Sequence, residues 1–216
     1  MRPNEQTADG PEFARLDLNI LRWPHSDLSY GAKCLYARLV LFASESGIWE
    51  GTHRRLGDEL GCSGDNVGLL LAQLLELEIV KVRKRGIASA FCVKPFDRKV
   101  SFAKLMLDTL RRPISEVPFH SKCLHGLLLY FGRNGKCFPS QKKLAEHMCC
   151  SDRHIRNALE DLNRSGFVEW QSRGRTSSRY TVHKSPRIVP SIAPPENCSG
   201  QHKDSSGNKP RIVPAA

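Results

Sequence analysis

Two stretches of this chain, each about 65 residues long, carry the same pattern of apolar, capping and turn residues. An internal repeat of that length constrains the fold more firmly than any single motif, because each copy must close around the same kind of core. The first copy runs from Leu28 to Val93 and the second from Pro118 to Val182. Lys33-Cys34-Leu35 falls on Lys122-Cys123-Leu124, Leu56 on Leu144, Cys62-Ser63 on Cys150-Ser151, Val67 on Ile155, Leu74 on Leu162, Val80 on Val168 and Arg85-Gly86 on Arg173-Gly174. The register holds with one single-residue gap before Gly47 and Gly135. The matches fall where a backbone dictates the residue, whereas the surface positions between them differ. The two copies are therefore predicted to share a fold and to do different jobs.

Local signals give the order of elements. Ser29 reads as the N-cap of a helix presenting Leu35, Leu39 and Phe42 on one face, and the same helix recurs as Ser121 to Phe131. A turn at Gly135 and a short extended piece at Cys137-Phe138 lead to a helix opened by Pro139-Ser140, with Leu144, Ala145 and Met148 inward. Ser151 caps a third helix, Asp152 to Arg164, carrying Ile155, Ala158, Leu159 and Leu162 at helical spacing, and Gly166 ends it. Strands at 167–171 and 179–182 follow, joined by the basic turn Ser172-Arg173-Gly174-Arg175-Thr176. The first copy repeats the order with Thr52 to Leu60, Ser63 to Glu76 and a hairpin from Ile79 to Val93. Three helices and a β-hairpin form the winged helix-turn-helix order. The fold class expected is α+β, mainly α, with two such domains in tandem.

The division expected is a flexible arm over 1–16, a first domain over 17–95, a linker over 96–116, a second domain over 117–183 and a disordered basic tail over 184–216. The segment Leu18 to Pro24 is apolar enough to pack beside the first domain, and Val100 to Leu110 reads as an amphipathic linker helix. The tail is rich in Pro, Ser, Asn and Gly, and contains Pro-Arg-Ile-Val-Pro twice, at 186–190 and 210–214. That duplication is either a local accident or a short docking motif used twice.

The net charge of +11 points to a polyanionic partner. Its distribution is uneven: residues 28–93 carry a net +1, residues 117–182 a net +6. No apolar run is long enough to span a bilayer, and residues 1–12 lack the apolar core of a secretory signal, so a cytoplasmic protein without membrane association is expected. The eight cysteines contain no Cys-x-x-Cys, and two equivalent pairs fall within helices or the turn between them. They read as small hydrophobes in a reducing compartment, with neither a metal site nor a cofactor expected. No phosphate-binding glycine loop and no His-x-His pair near a tyrosine occurs, which argues against an enzyme.

A helix following a tight turn fits the major groove of double-stranded DNA, where base edges differ for every pair. With Ile155, Leu159 and Leu162 inward, helical geometry turns Arg153, Arg156, Asn157, Glu160 and Arg164 outward. Arg153, His154, Arg156 and Asn157 are the candidate base readers, since arginine pairs bidentately with guanine and asparagine with adenine. Ser140, Gln141, Lys142 and Lys143 open the preceding helix, where free amides and positive charge suit a phosphate. Arg173, Arg175 and Arg179 would follow the backbone or enter an adjacent minor groove.

The first copy differs at the same places. Its third helix runs Gly64-Asp65-Asn66-Val67-Gly68-Leu69 and offers a groove no basic residue. Its apolar content exceeds one core face, so that Leu69, Leu70 and Leu75 either face a partner or are buried all round within the domain. A homodimer through this domain is one arrangement that would use them. Arg54, Arg55, Arg83, Lys84 and Arg85 remain available to phosphates.

The run GKCFPSQKKLAEHMCCSDRHIRNALEDLNRSGFVEW, followed by SSRYTV, resembles the winged helix-turn-helix domains of bacterial, plasmid and phage proteins: Pro-Ser-x-x-x-Leu-Ala, then Ser-x-Arg, Leu and Gly-Phe-Val. The first copy is a weaker instance, with Gly51-Thr52 in place of Pro139-Ser140 and Gly57 in place of Ala145. Two such domains in one chain resemble plasmid replication initiators. That resemblance implies binding to repeated origin sites on double-stranded DNA, dimerisation and host replication proteins as further partners. Transcription regulators also use this domain.

Overall fold

The computed structural model describes residues 12–84, 89–93, 100–132, 136–173 and 176–187. It is a mixed α and β chain in which helices predominate. The elements are β1 (Phe13–Asp17), α1 (Leu18–Leu21), α2 (Tyr30–Phe42), β2 (Ile48–Gly51), α3 (His53–Leu60), α4 (Gly64–Glu76), β3 (Val80–Lys84) and β4 (Ser89–Val93). The same order then recurs as β5 (Phe102–Met106), α5 (Leu107–Arg111), α6 (Phe119–Phe131), β6 (Lys136–Cys137), α7 (Gln141–Met148), α8 (Asp152–Arg164), β7 (Val168–Arg173) and β8 (Thr176–Val182).

Helix starts follow from short hydroxyl side chains. Ser29, Thr52, Ser63, Ser140 and Ser151 each accept a backbone N–H from the first turn of the helix they precede. Helix α6 starts two residues earlier than the Ser121 expected, behind Pro118. Each half closes with a three-stranded antiparallel sheet, in the orders β2-β4-β3 and β6-β8-β7.

The repeat is longer than the sequence suggests. Residues 13–16, expected in a flexible arm, form most of β1, and the linker helix expected over Val100 to Leu110 is strand β5 followed by the short α5. Alternation decides this: Ala103 and Leu105 are buried while Lys104 is exposed, a period of two that a helical reading of the same apolar residues misses. The two strands pair antiparallel, Phe13 opposite Met106, Arg15 opposite Lys104 and Asp17 opposite Phe102. Exchanging the halves maps this ladder onto itself about its Arg15–Lys104 centre. The side chains obey the same exchange. The Phe13 and Phe102 rings stack at 6.4 Å, with Arg15 over Phe102 and Lys104 over Phe13, each at 5.0 Å.

The ladder packs on α2 and α6, whose first turns meet. The thiols of Cys34 and Cys123 lie 3.5 Å apart there, both fully buried and free, each close to a carbonyl at the start of the opposite helix. Hydrogen bonding to Cys123 and burial push the Cys34 thiol up, which keeps it protonated and apolar in behaviour. One residue earlier, each helix buries a lysine. Lys33 Nζ donates to the carbonyls of Leu21 (3.0 Å) and Trp23 (2.6 Å), and Lys122 Nζ to those of Leu60 (2.6 Å), Leu110 (2.7 Å) and Arg112 (2.6 Å). Both ammonium groups thus satisfy the carbonyl ends of short helices where the chain turns into the next element.

The halves are therefore intertwined rather than strung together. Helix α1 of the first half touches α7 of the second, and α5 touches α3 in return. The apolar excess of α4 is partly explained by this junction. Leu70 is buried beside Gly31, which Phe119 of the other half also approaches, and Leu75 is half-buried, whereas Leu69 stays 67% exposed.

Candidate nucleic-acid interface

Helix α8 separates its faces cleanly. Ile155, Ala158, Leu159 and Leu162 are buried, and Arg153, His154, Arg156, Asn157 and Glu160 are exposed. The four candidate readers therefore share one outward surface in the first two turns. Ser151 holds the helix entry, with His154 Nδ1 3.0 Å from its Oγ, so that the imidazole folds back on its own cap. Arg164 reaches Asp161 on the same helix at 3.8 Å, while Ser121 of α6 donates to the same carboxylate at 3.0 Å. That carboxylate fixes α8 on the helix beneath it.

The turn into α8 begins at Cys149, whose φ of 48° ends α7 in the left-handed region. Ahead of α7, Ser140 is exposed and its Oγ accepts from Lys143 N at 3.1 Å. Lys142 and Lys143 are exposed and Gln141 half-buried, with Lys143 Nζ 5.1 Å above the Phe131 ring. The first turn of α7 thus presents two ammonium groups beside the backbone amides of Gln141 and Lys142, an arrangement that suits a phosphate. In the hairpin, Arg179 is half-buried and pairs across the ladder with Gln171. Arg173 is placed by its backbone opposite Thr176, at the last ladder position before the tip. Arg175 lies outside the described residues.

In the first half, Arg54 and Arg55 are exposed at the start of α3, with Arg55 5.5 Å from the Phe42 ring centre. Arg83 is exposed on β3, Lys84 pairs by its backbone with Ala90, and Arg85 lies outside the described residues. The outward face of α4 carries Asp65, Leu69, Ala72 and Glu76 where α8 carries Arg153, Asn157, Glu160 and Arg164. The predicted asymmetry of charge is thus an asymmetry of exposed helix faces.

Three supports of this surface escape sequence reasoning. Tyr30 of α2 donates its hydroxyl to the carbonyl of Met148, at the end of α7. Arg22, just after α1, donates to His147 Nδ1 at 3.3 Å; burial and the adjacent Arg22 lower the imidazole's basicity. At the equivalent place in the other half, Glu59 accepts from Arg111 at 3.0 Å and also from Arg38. Burial alone would raise the Glu59 carboxyl, but the two guanidinium groups outweigh it and hold it below the usual range. The third support is His125, fully buried, with Nε2 2.8 Å from the His183 carbonyl and Nδ1 2.9 Å from Thr109 Oγ1. A carbonyl can only accept, so Nε2 carries the proton and Nδ1 accepts from the threonine. Burial lowers this histidine to about 4. Each contact joins residues far apart in the chain, so no local pattern announces it.

Residues 125–168 match a family described as a helix-turn-helix domain. The match begins inside α6, covers α7 and α8 and ends at the first residue of β7, and it therefore contains the exposed row from Arg153 to Asn157. This class of domain suggests DNA as the partner. No curated protein matches the chain. Among the described residues, no helix is long and apolar enough to cross a membrane, and no cluster of His, Cys, Asp or Glu is arranged to hold a metal ion.

Proposed function

We propose that this chain is a double-stranded DNA-binding protein of two tandem winged helices, in which the second half reads sequence and the first supports it and grips phosphates. The observation that carries the reading is the row Arg153, His154, Arg156 and Asn157, exposed together on a helix whose opposite face is wholly buried, within a matched helix-turn-helix domain. Lys142 and Lys143 set register through phosphates, and Arg173, Arg175 and Arg179 follow the backbone from the wing. Arg54, Arg55, Arg83, Lys84 and Arg85 add sequence-independent contacts. The role is binding, not catalysis.

The biological setting that best fits is initiation of plasmid or phage replication at repeated origin sites, in a prokaryotic cytoplasm. Two DNA-binding units joined in one chain suit an array of closely spaced sites, and the resemblance of the tandem pair to plasmid replication initiators supports this reading. Host replication proteins are the further partners it implies.

Selection of bound sequences from a random DNA pool, followed by footprinting, tests the proposal. One conserved half-site beside a protected but unconserved flank is expected. Two equally conserved half-sites would overturn the division of labour, and no enrichment would overturn sequence reading altogether. A plasmid bearing the gene and tandem selected sites is expected to replicate without another origin; failure to do so would remove the initiator role alone.

A further inference from the structure

The polypeptide leaving β8, expected to be disordered from residue 184, is instead placed as far as Arg187 and folds back over the corner between α8 and β7, because hydrogen bonds from Ser185 and Arg187 hold it there. His183 N donates to Phe167 O at 2.9 Å, Arg187 N to Gly166 O at 3.0 Å, and Arg187 Nη1 to Glu169 Oε1 at 3.0 Å. Ser185 Oγ donates to Asp108 on α5 at 2.7 Å. Gly166 is needed twice over: its φ is +75°, and a Cβ there would stand 2.5 Å from the Arg187 carbonyl oxygen. The corner is thus shaped to receive a backbone carrying an arginine. Pro186 and Arg187 open the first of the two Pro-Arg-Ile-Val-Pro segments.

The same corner in the first half is closed to such a segment. Glu78 stands where Gly166 does, so a side chain occupies the space the Arg187 carbonyl would need, and Lys81 replaces Glu169 and would repel the guanidinium. One receptor therefore faces two identical five-residue sequences. We propose that the α8–β7 corner is a binding site for the Pro-Arg that opens Pro-Arg-Ile-Val-Pro, and that Pro210-Arg211 of the same chain is its second occupant, exchanging with Pro186-Arg187. The contacts at the corner fall on Arg187: its backbone N–H, its guanidinium and the lack of a side chain at Gly166 opposite its carbonyl. The second copy supplies the same groups. Nineteen residues lie between Pro190 and Pro210, a contour of roughly 60 Å, which is ample for a return to the same corner. A tethered competitor of that length acts at high effective concentration.

The test uses the full chain, with the amide signals of residues 166–170 and the Trp170 indole signal followed by NMR. Arg187→Pro removes both the donated N–H and the guanidinium from the first copy at an exposed position. In that variant the signals are expected to stay close to wild type at all protein concentrations, because the second copy takes the corner. In the double variant Arg187→Pro, Arg211→Pro they are expected to move together to new positions. A peptide spanning residues 207–216 should then return them saturably, whereas the same peptide with Arg211→Pro should not. If Arg187→Pro alone already matches the double variant, or if the peptide has no effect, the second copy does not bind and the proposal fails. Signals of Arg187→Pro that return only on raising the protein concentration would place the occupant on another chain and overturn the assignment within one chain. None of these readouts involves DNA, so they succeed or fail independently of the proposed function.

Discussion

Tyr30 and Met148 lie in different halves of the chain, and the phenol of the first donates to the main-chain carbonyl of the second at 2.8 Å. The bond ties the N-terminal half to the last turn of α7, directly before the turn into α8. Burial, and secondarily the nearby cysteines, raise this phenol well above its ordinary range, so it keeps its proton. Tyr30→Phe leaves the Met148 carbonyl short of a donor and is expected to cost about 1–2 kcal/mol. A urea unfolding midpoint lowered in proportion, with an unchanged slope, is the expected measurement; an unchanged midpoint would show the bond to be dispensable.

His125 should make stability depend on acid. In the folded state it titrates at about 4, against ~6.5 for an unfolded histidine. Between those values the unfolded chain binds the extra proton, so stability is fully present above pH ~6.5 and falls as pH drops towards 4. The loss attributable to this residue is of order 3 kcal/mol. Unfolding followed across that window should give a steep slope in the wild type, and a much shallower one in His125→Gln. Equal slopes would place the titration elsewhere.

Two corners of the repeat use opposite residues for one backbone shape. Glu78 has a φ of 53° where Gly166 has 75°. Left-handed backbone costs a side-chain-bearing residue about 1 kcal/mol, so Glu78→Gly is expected to stabilise the protein by roughly that amount. Gly166→Ala should destabilise it by more, because the new methyl group also meets the Arg187 carbonyl. Thermal melts of the two variants, shifting in opposite directions, are the check.

Arg153 and Lys142 should fail differently. Arg153→Ala is expected to cost about 1–3 kcal/mol on the selected site and to relax preference at one base position. Lys142→Ala should weaken specific and random DNA alike and reduce the slope of log K against log salt by about 1. Titrations at several salt concentrations on both DNAs separate the two. Equal losses on both DNAs for Arg153→Ala would remove it from the readers.

What could be read in advance was what is local. Ser29, Ser140 and Ser151 announced their helices, Asp152 to Arg164 emerged with both ends as expected, and the burial of Ile155, Leu159 and Leu162 followed from their spacing. The β1–β5 ladder was hidden because each strand is five residues long and its partner lies across most of the first half. Phe13-Ala14-Arg15-Leu16 and Phe102-Ala103-Lys104-Leu105 do match, but a short match is weak until pairing gives it a purpose. Lys33 and Lys122 were visible as equivalent residues, yet burial is the last thing a lysine suggests. Their role depends on carbonyl groups that only the folded chain brings together.

The Arg15–Lys104 ladder centre has a further consequence. A fragment beginning near residue 100 would expose β5 as an unpaired edge whose natural partner is nearly its own sequence, so two fragments could pair with Lys104 opposite Lys104. Lys104 opposite Lys104 would repeat the like-charged Arg15–Lys104 centre of the native ladder, and the match of Phe102 to Phe13 would favour the pairing. The intact chain supplies both strands itself. Joined in this way, the two halves meet at an effective concentration set by the chain itself, so that dilution leaves the pairing of β1 with β5 unchanged.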